Sequence, residues 1–164
     1  MNDAHLHLIF NHLPIIIPMI GLLVMTGGFI FQSEIVKRTA YFIFILGALS
    51  TIPAFFTGEG AEEIVEKIPG MDEKFMEIHE EAAETFAWLS YLLGGLSLLG
   101  LWANWKEKSF SNILSVAVII FSLVVLFFAK QTGTTGGEIR HTEIRTGVAV
   151  ADTGNNTSES EEED

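Results

Sequence analysis

Four long apolar blocks, separated by short polar segments, dominate the hydrophobic pattern of the chain. They run over residues 13–31, 39–56, 86–105 and 110–129. A helix needs about 20 mostly apolar residues to cross the hydrocarbon core of a bilayer. A helix on the surface of a soluble protein shows a polar stripe at helical spacing, which these blocks lack. The pattern therefore predicts an all-α fold, a four-helix transmembrane bundle.

The composition agrees with this prediction once the charges are located along the chain. The mean hydropathy is +0.39 and the net charge is −12, a combination that is unusual for a soluble protein. The charges lie between the apolar blocks and in the C-terminal segment, which is too polar to pack. We therefore predict one membrane domain with a polar outer cap over residues 1–148, followed by a disordered acidic tail over residues 149–164.

The chain contains no cysteine. Disulfides, thiolate-ligated metals and iron–sulfur clusters held by this chain alone are therefore excluded. No lysine or arginine precedes the first apolar block, as one would in a cleavable signal peptide, so we expect the first helix to remain in the mature protein.

The basic residues of the two short links predict the orientation in the membrane. Lys37 and Arg38 follow the first apolar block, and Lys106 and Lys108 follow the third. Because short loops rich in lysine and arginine stay in the cytoplasm, both links are expected there. The N-terminus, the acidic connection predicted over residues 58–85, and the C-terminal tail then lie on the opposite side.

All five histidines fall on that opposite, non-cytoplasmic side of the predicted bundle. Three precede the first apolar block, one precedes the third and one follows the fourth: His5, His7, His12, His79 and His141. An imidazole at the edge of the hydrocarbon is costly unless it is solvated, paired or bound to something. The one-sided distribution predicts a histidine-lined site near the outer face.

Two of these histidines stand out by position. His12 lies one residue from the first apolar block, where it acts either as a ligand or as a structural hydrogen-bonding group. On a helix, His79 shares a face with Ala83 and Phe86, so we expect it to point into the bundle. The acids around His79 are most simply a solvated face.

Haem b is the first cofactor that this set of residues suggests. A bis-histidine haem needs two neutral imidazoles from different helices in a mostly apolar cleft. His12 with His79 or His141 would supply them, and Arg140 or Arg145 would pair with a propionate. Because the sequence has no Cys-x-x-Cys-His motif, the haem would be bound without a covalent link.

A non-haem metal ion is the second possibility. Glu59 and Glu62 leave the second apolar block on the side of the histidines, and carboxylate oxygen joins His12, His79 and His141 readily around zinc or non-haem iron. Glu138-x-x-His141 has the spacing of half a di-iron site, but residues 133–137 are rich in glycine and are expected to break the helix that would carry it. The same acids would be rim charges in a docking protein.

The sequence also resembles a known family. His7-x-x-x-x-His12-x-Pro14 is similar to the His-Pro-x-x-x-His-x-Pro signature of a bacterial four-helix inner-membrane domain of unknown function, with Leu8 in place of the first proline. The resemblance continues through Thr57-Gly58, His79 and Gly136-Gly137, and covers most of residues 5–148. Members are sometimes fused to Rieske-type iron–sulfur domains. The resemblance therefore implies a redox setting and a haem b, and it adds His7 to the candidate ligands.

Together these patterns predict a multi-pass protein of the bacterial inner membrane with both termini in the periplasm. The leading functional prediction is an electron-transfer component that binds haem b or a metal ion and has quinol and a periplasmic electron-transfer protein as partners. The alternative is a structural or assembly subunit whose cap docks onto other membrane subunits. No nucleic-acid partner is expected, and enzymatic activity stays open.

Overall fold

The computed structural model of the protein describes residues 1–145, so the predicted acidic tail lies outside the described residues. Within that range the chain is helical and has no strand. Its helices are α1 (Asp3–Phe10), α2 (Leu13–Ile30), α3 (Glu34–Val65), α4 (Glu73–Trp105) and α5 (Ser111–Arg140), followed by a 3₁₀ turn, Thr142–Ile144. The prediction of an all-α fold is therefore confirmed for this part of the chain.

The four long helices form a closed antiparallel bundle. Each of α2, α3, α4 and α5 packs against its neighbour in sequence, and α5 packs back against α2. The short helix α1 lies on α3. Four helical stretches are long and apolar enough to cross a membrane, the first being α1 and α2 taken together as Asp3–Ile30.

The acidic connection predicted over residues 58–85 is mostly helical, and only residues 66–72 link α3 to α4. The helix α3 continues to Val65 and α4 begins at Glu73, after Asp72 accepts a hydrogen bond from the backbone N–H of Lys74 at 3.1 Å. The acids of this segment lie on one side of helical turns whose opposite side packs inside the bundle. No proline interrupts the helix between residue 58 and the link at 66–72. At about 1.5 Å per residue, a helix of 32 residues exceeds a hydrocarbon core of about 30 Å.

The glycine-rich segment 133–137 does not break α5, contrary to expectation. The helix runs through it to Arg140. Glycine weakens an isolated helix, but here the missing side chain allows a close contact: a Cβ at Gly136 would lie 2.9 Å from Cε1 of His79. Tertiary packing against α4 therefore outweighs the local helix propensity of these glycines.

The interior of the bundle is built from small, hydroxyl-bearing and medium-sized residues, while many of the largest apolar side chains point outward. Met25, Tyr41 and Phe44 are fully buried, whereas Leu23 is 70% exposed and Phe127 is 66% exposed. This distribution is the one that a hydrocarbon environment favours, because helices in lipid gain little from burying apolar surface and associate by close packing.

The glycines of the interior permit that close packing. A Cβ at Gly94 would lie 2.6 Å from the Cβ of Ala48, and a Cβ at Gly100 would overlap the ring of Tyr41. The close approach of helices that the small residues of the third apolar block suggest is therefore found between α3 and α4.

A buried polar network joins three helices at one end of the bundle. Lys37 is only 5% exposed, and its Nζ donates to Glu34 Oε1 at 2.8 Å and to Asn112 Oδ1 at 3.0 Å. Arg38 Nε donates to Asn104 Oδ1 at 2.6 Å, and the amide of Asn104 also bonds the carboxylate of Glu34. Paired and hydrogen-bonded in this way, the buried ammonium of Lys37 is tolerated. We call this end, with its links at 31–33 and 106–110, the basic end.

Candidate functional site

The antiparallel arrangement collects α1, the link at 66–72 and the last turn of α5 at the other end of the bundle. We call this the histidine end, because His7 on α1 and His79 on α4 both lie there, partly buried. The glycines of α3 allow α1 to dock: a Cβ at Gly60 would lie 2.5 Å from Oδ2 of Asp3, and one at Gly58 would lie 3.5 Å from Cε1 of His7. Docking of α1 thus turns His7 toward α3.

The ring of His7 is oriented by the backbone of α3. Its Nδ1 lies 3.0 Å from the carbonyl oxygen of Ala54 and 3.4 Å from Oγ1 of Thr57. A carbonyl oxygen only accepts hydrogen bonds, so Nδ1 carries the proton and donates to Ala54. The neutral ring therefore keeps an unprotonated Nε2 with a free lone pair.

The ring of His79 is oriented in the same sense by α5. Its Nδ1 lies 3.1 Å from Oγ1 of Thr135, and that hydroxyl donates its own proton to the carbonyl oxygen of Thr132 at 3.1 Å. The Thr135 oxygen is then an acceptor, so Nδ1 of His79 is the donor and Nε2 is again unprotonated. The ring rests on the backbone of Gly136, which leaves it little freedom to turn.

Both rings lie at the histidine end, His7 on α1 and His79 on α4. Histidines that bind metals usually donate their other ring N–H to a carbonyl or a similar acceptor, which fixes the tautomer and the orientation of the ring. In both His7 and His79, Nδ1 is held by a hydrogen bond to the protein in this way.

A buried acceptor without a partner lies one helical turn from His7. The backbone N–H of Asn11 donates to the carbonyl of His7, which continues the turn of α1, while its side-chain Oδ1 is buried and has no hydrogen-bond partner among residues 1–145. A buried polar atom without a partner is uncommon and costs stability. The histidine end therefore contains one oxygen that a bound group would satisfy.

The other predicted ligands do not join this pair. His12 is exposed where α2 begins and makes no side-chain capping bond. His141 is exposed and pairs with Glu143 at 2.8 Å. The pKa of Glu143 is held below its usual range by its own backbone N–H and by His141. Glu59 is exposed on α3, and Glu62 is partly buried near Glu80.

The two predicted arginines have different surroundings. Arg140 is exposed in the last turn of α5. Arg145 stacks on Phe75, with its guanidinium carbon 3.8 Å from the ring centroid, and donates to the carbonyls of Glu138 and Ile139. Arg145 therefore connects the segment after α5 to the start of α4. Of the two arginines, only Arg140 remains available to pair with a haem propionate.

No group of three or more histidine, aspartate or glutamate side chains in residues 1–145 is arranged to hold a metal ion. The partly buried polar side chains of the histidine end include His7, His79 and Asn11, whereas the predicted ligands His12, His141 and Glu59 are exposed. The sequence reasoning missed Thr132 and Thr135, which order the ring of His79, and it named Thr57 only as part of the family resemblance. Their spacing on one face of a helix was the available signal, since residues 132 and 135 are separated by about one turn.

No protein-family model, no curated protein and no solved structure matches the chain. The family resemblance seen in the motif around His7 and His12 therefore stays a prediction. Function has to be inferred from the chemistry of the histidine end.

Proposed function

We propose that this protein is an integral membrane redox component that binds a transition-metal centre through His7 and His79 at the histidine end. The observation that carries the proposal is the tautomer of the two rings. Both hold their proton on Nδ1 in a hydrogen bond to the protein and keep Nε2 free. Imidazole nitrogen is a preferred ligand of copper, iron and zinc.

A metal ion fits the packing of the histidine end better than haem b does. A haem between His7 and His79 would need a wide apolar cleft, but the ring of His79 rests on the Gly136 backbone and α1 is docked closely on α3. An ion needs only a small gap, and Oδ1 of Asn11, four residues after His7, is a buried oxygen without a hydrogen-bond partner among residues 1–145. Haem b stays the second candidate, and its binding would require α1 to separate from the bundle.

The chemistry that follows from such a centre is the transfer of single electrons, which a bound copper or iron ion supplies. The protein's own groups would position it: Ala54 and Thr135 hold the two rings, and the extended ends of α3 and α4 shield them. In the proposed orientation the histidine end faces the periplasm of a bacterium. There it would exchange electrons with quinol in the bilayer and with a periplasmic protein.

The test is the visible spectrum and metal content of the full-length protein, purified in detergent. Variants His7→Gln and His79→Gln are compared with His12→Gln and His141→Gln, the exposed histidines at the same end. We expect copper or iron, at about one ion per chain, that is lost in the first two variants and kept in the other two. A haem spectrum that disappears in the same two variants would establish haem b as the centre.

The proposal is wrong if the wild-type protein contains neither metal nor haem and takes up neither copper nor iron when these are added. It is also wrong if all four variants lose the centre equally, because that result would indicate a general effect on folding. The helix content of each variant, measured by circular dichroism, separates loss of ligation from loss of structure.

A docking function is the second candidate, and the exposed acids of the histidine end favour it. Glu77, Glu81 and Glu84 are exposed on α4, and Glu59 and Glu63 are exposed on α3. Such a surface would attract a basic partner, and the association would weaken as salt is added. A partner that co-purifies with the wild-type protein at low salt, and not with a Glu77→Gln, Glu81→Gln variant, would support this function.

A further inference from the structure

A groove on the surface of α4 lies at the basic end, far from the histidines. Its volume is about 430 Å³, and it is lined by Leu98, Leu101, Trp102, Trp105 and Lys106. Both indoles are well exposed, Trp102 to 50% and Trp105 to 69%. The groove is therefore apolar along its length and carries an ammonium group at its end.

A second lysine, Lys108, lies over one of the tryptophans that line the groove. The Nζ of Lys108 lies 5.7 Å from the ring centroid of Trp102, a cation–π contact. The backbone sets up this contact, because Glu107 has a left-handed conformation with φ 50° and the N–H of Lys108 donates to the carbonyl of Ala103 at 2.9 Å. This is the hydrogen bond of a helix that ends in a left-handed turn.

The two ammonium groups are available to a ligand. The salt bridges among residues 1–145 are Lys37–Glu34 and His141–Glu143, so neither Lys106 nor Lys108 pairs with a carboxylate there. The nearby carboxylate of Glu34 is already bonded to Lys37 and Asn104. The mouth of the groove thus has two ammonium groups without a salt bridge among residues 1–145, and with the exposed carboxylate of Glu107 between them in sequence the segment 106–108 has a net charge of +1.

We propose that this groove binds one anionic phospholipid, with an acyl chain along Leu98 and Leu101 and the phosphate at Lys106 and Lys108. Tryptophan is enriched at the level of the lipid headgroups, so Trp102 and Trp105 are suited to the glycerol region between chain and phosphate. A free phosphate would leave the apolar part of the groove unused. A zwitterionic lipid would leave positive charge uncompensated at its mouth. The proposal is independent of metal binding at the histidine end.

The experiment uses the tryptophans of the groove as reporters in lipid nanodiscs. The variant Trp88→Phe leaves Trp102 and Trp105 as the only indoles, and its fluorescence is measured with brominated phosphatidylglycerol or brominated phosphatidylcholine at a low mole fraction. We expect the brominated anionic lipid to quench several times more strongly than the neutral one. In the variant Trp102→Phe, Trp105→Phe only Trp88 remains, about 20 Å along α4 from Trp102, and there the two lipids should quench alike.

Two double variants with the same change of net charge test the role of the lysines, both made in the Trp88→Phe background. Lys106→Gln, Lys108→Gln should abolish the several-fold preference for the anionic lipid, because the attraction of both ammonium groups to the phosphate is lost. Lys67→Gln, Lys74→Gln alters two lysines near the 66–72 link and should leave the preference unchanged. Equal quenching by both lipids overturns the proposal, and so does an equal loss of preference in both double variants. Circular dichroism verifies that each variant retains its helices.

Discussion

Replacing Gly136 with alanine tests the contact that orders His79. A Cβ at this position would lie 2.9 Å from Cε1 and 3.2 Å from Nδ1 of the ring, so either the ring or α5 has to move. Overpacking of this kind costs about 1–3 kcal/mol, while exchanging glycine for alanine inside a helix gains about 1 kcal/mol. We therefore expect a net loss of about 0–2 kcal/mol in the free energy of unfolding.

Gly133→Ala is the matched control, because it makes the same exchange one turn earlier on α5. A Cβ there would meet only Cδ1 of Ile15, at 3.6 Å, which is an ordinary contact. The control keeps the gain in helix propensity without the overlap, so Gly133→Ala should be more stable than Gly136→Ala by about 1–3 kcal/mol. The assay is reversible unfolding in mixed detergent micelles, followed by circular dichroism.

A double-mutant cycle with His79→Ala assigns the loss to the ring. In the absence of the imidazole, Gly136→Ala should become neutral or stabilising, so the coupling free energy should be on the order of 1–3 kcal/mol. If Gly136→Ala is as stable as Gly133→Ala, or if it costs the same with and without the ring, His79 does not pack on α5 as the structure has it.

Two further predictions concern the basic end and the orientation. Lys37→Met should lower the free energy of unfolding by about 0.5–1.5 kcal/mol, because the exposed carboxylate of Glu34 and the exposed amide of Asn112 lose their shared donor. Lys130→Met, at an exposed position, should change it little, and equal effects of the two variants would contradict the network. A reporter that works only in the periplasm should be active when fused after His141 and inactive when fused at Lys106; the reverse pattern would place the histidine end in the cytoplasm.

The sequence by itself determined the helical class of the protein and the ends at which its polar groups gather. Long apolar blocks separated by polar links leave few arrangements other than antiparallel helices, and alternation along the chain then sends residues 7 and 79 to the same end. The inward position of His79 followed from its helical phase, since Ala83 and Phe86 share its face. These features depend on the spacing of the apolar residues and on the length of each segment. Both can be read from the sequence without knowing which distant residues are in contact.

The composition of the histidine site was decided by tertiary structure. The sequence favoured His12 as a ligand because it adjoins the first apolar block, but α1 docks on α3 so that His7 meets Ala54 while His12 stays exposed. His7 lies within α1, whereas His12 is the residue that precedes α2. Which histidine faces inward therefore depends on how α1 is seated, and that depends on contacts between distant residues such as Asp3 and Gly60.

The length of α5 and the burial of Lys37 were decided in the same way. Glycines 133–137 favour a break in an isolated helix, but their packing against His79 and Ile144 holds α5 together to Arg140. From the sequence, Lys37 is expected to be a solvated residue in a link between helices. It is buried instead, because Glu34 and Asn112 provide hydrogen-bond acceptors for its ammonium group. The helix preference lost at a glycine is about 1 kcal/mol, and burying an ammonium group costs several kcal/mol. Contacts between residues far apart in sequence offset both costs only once the bundle has formed.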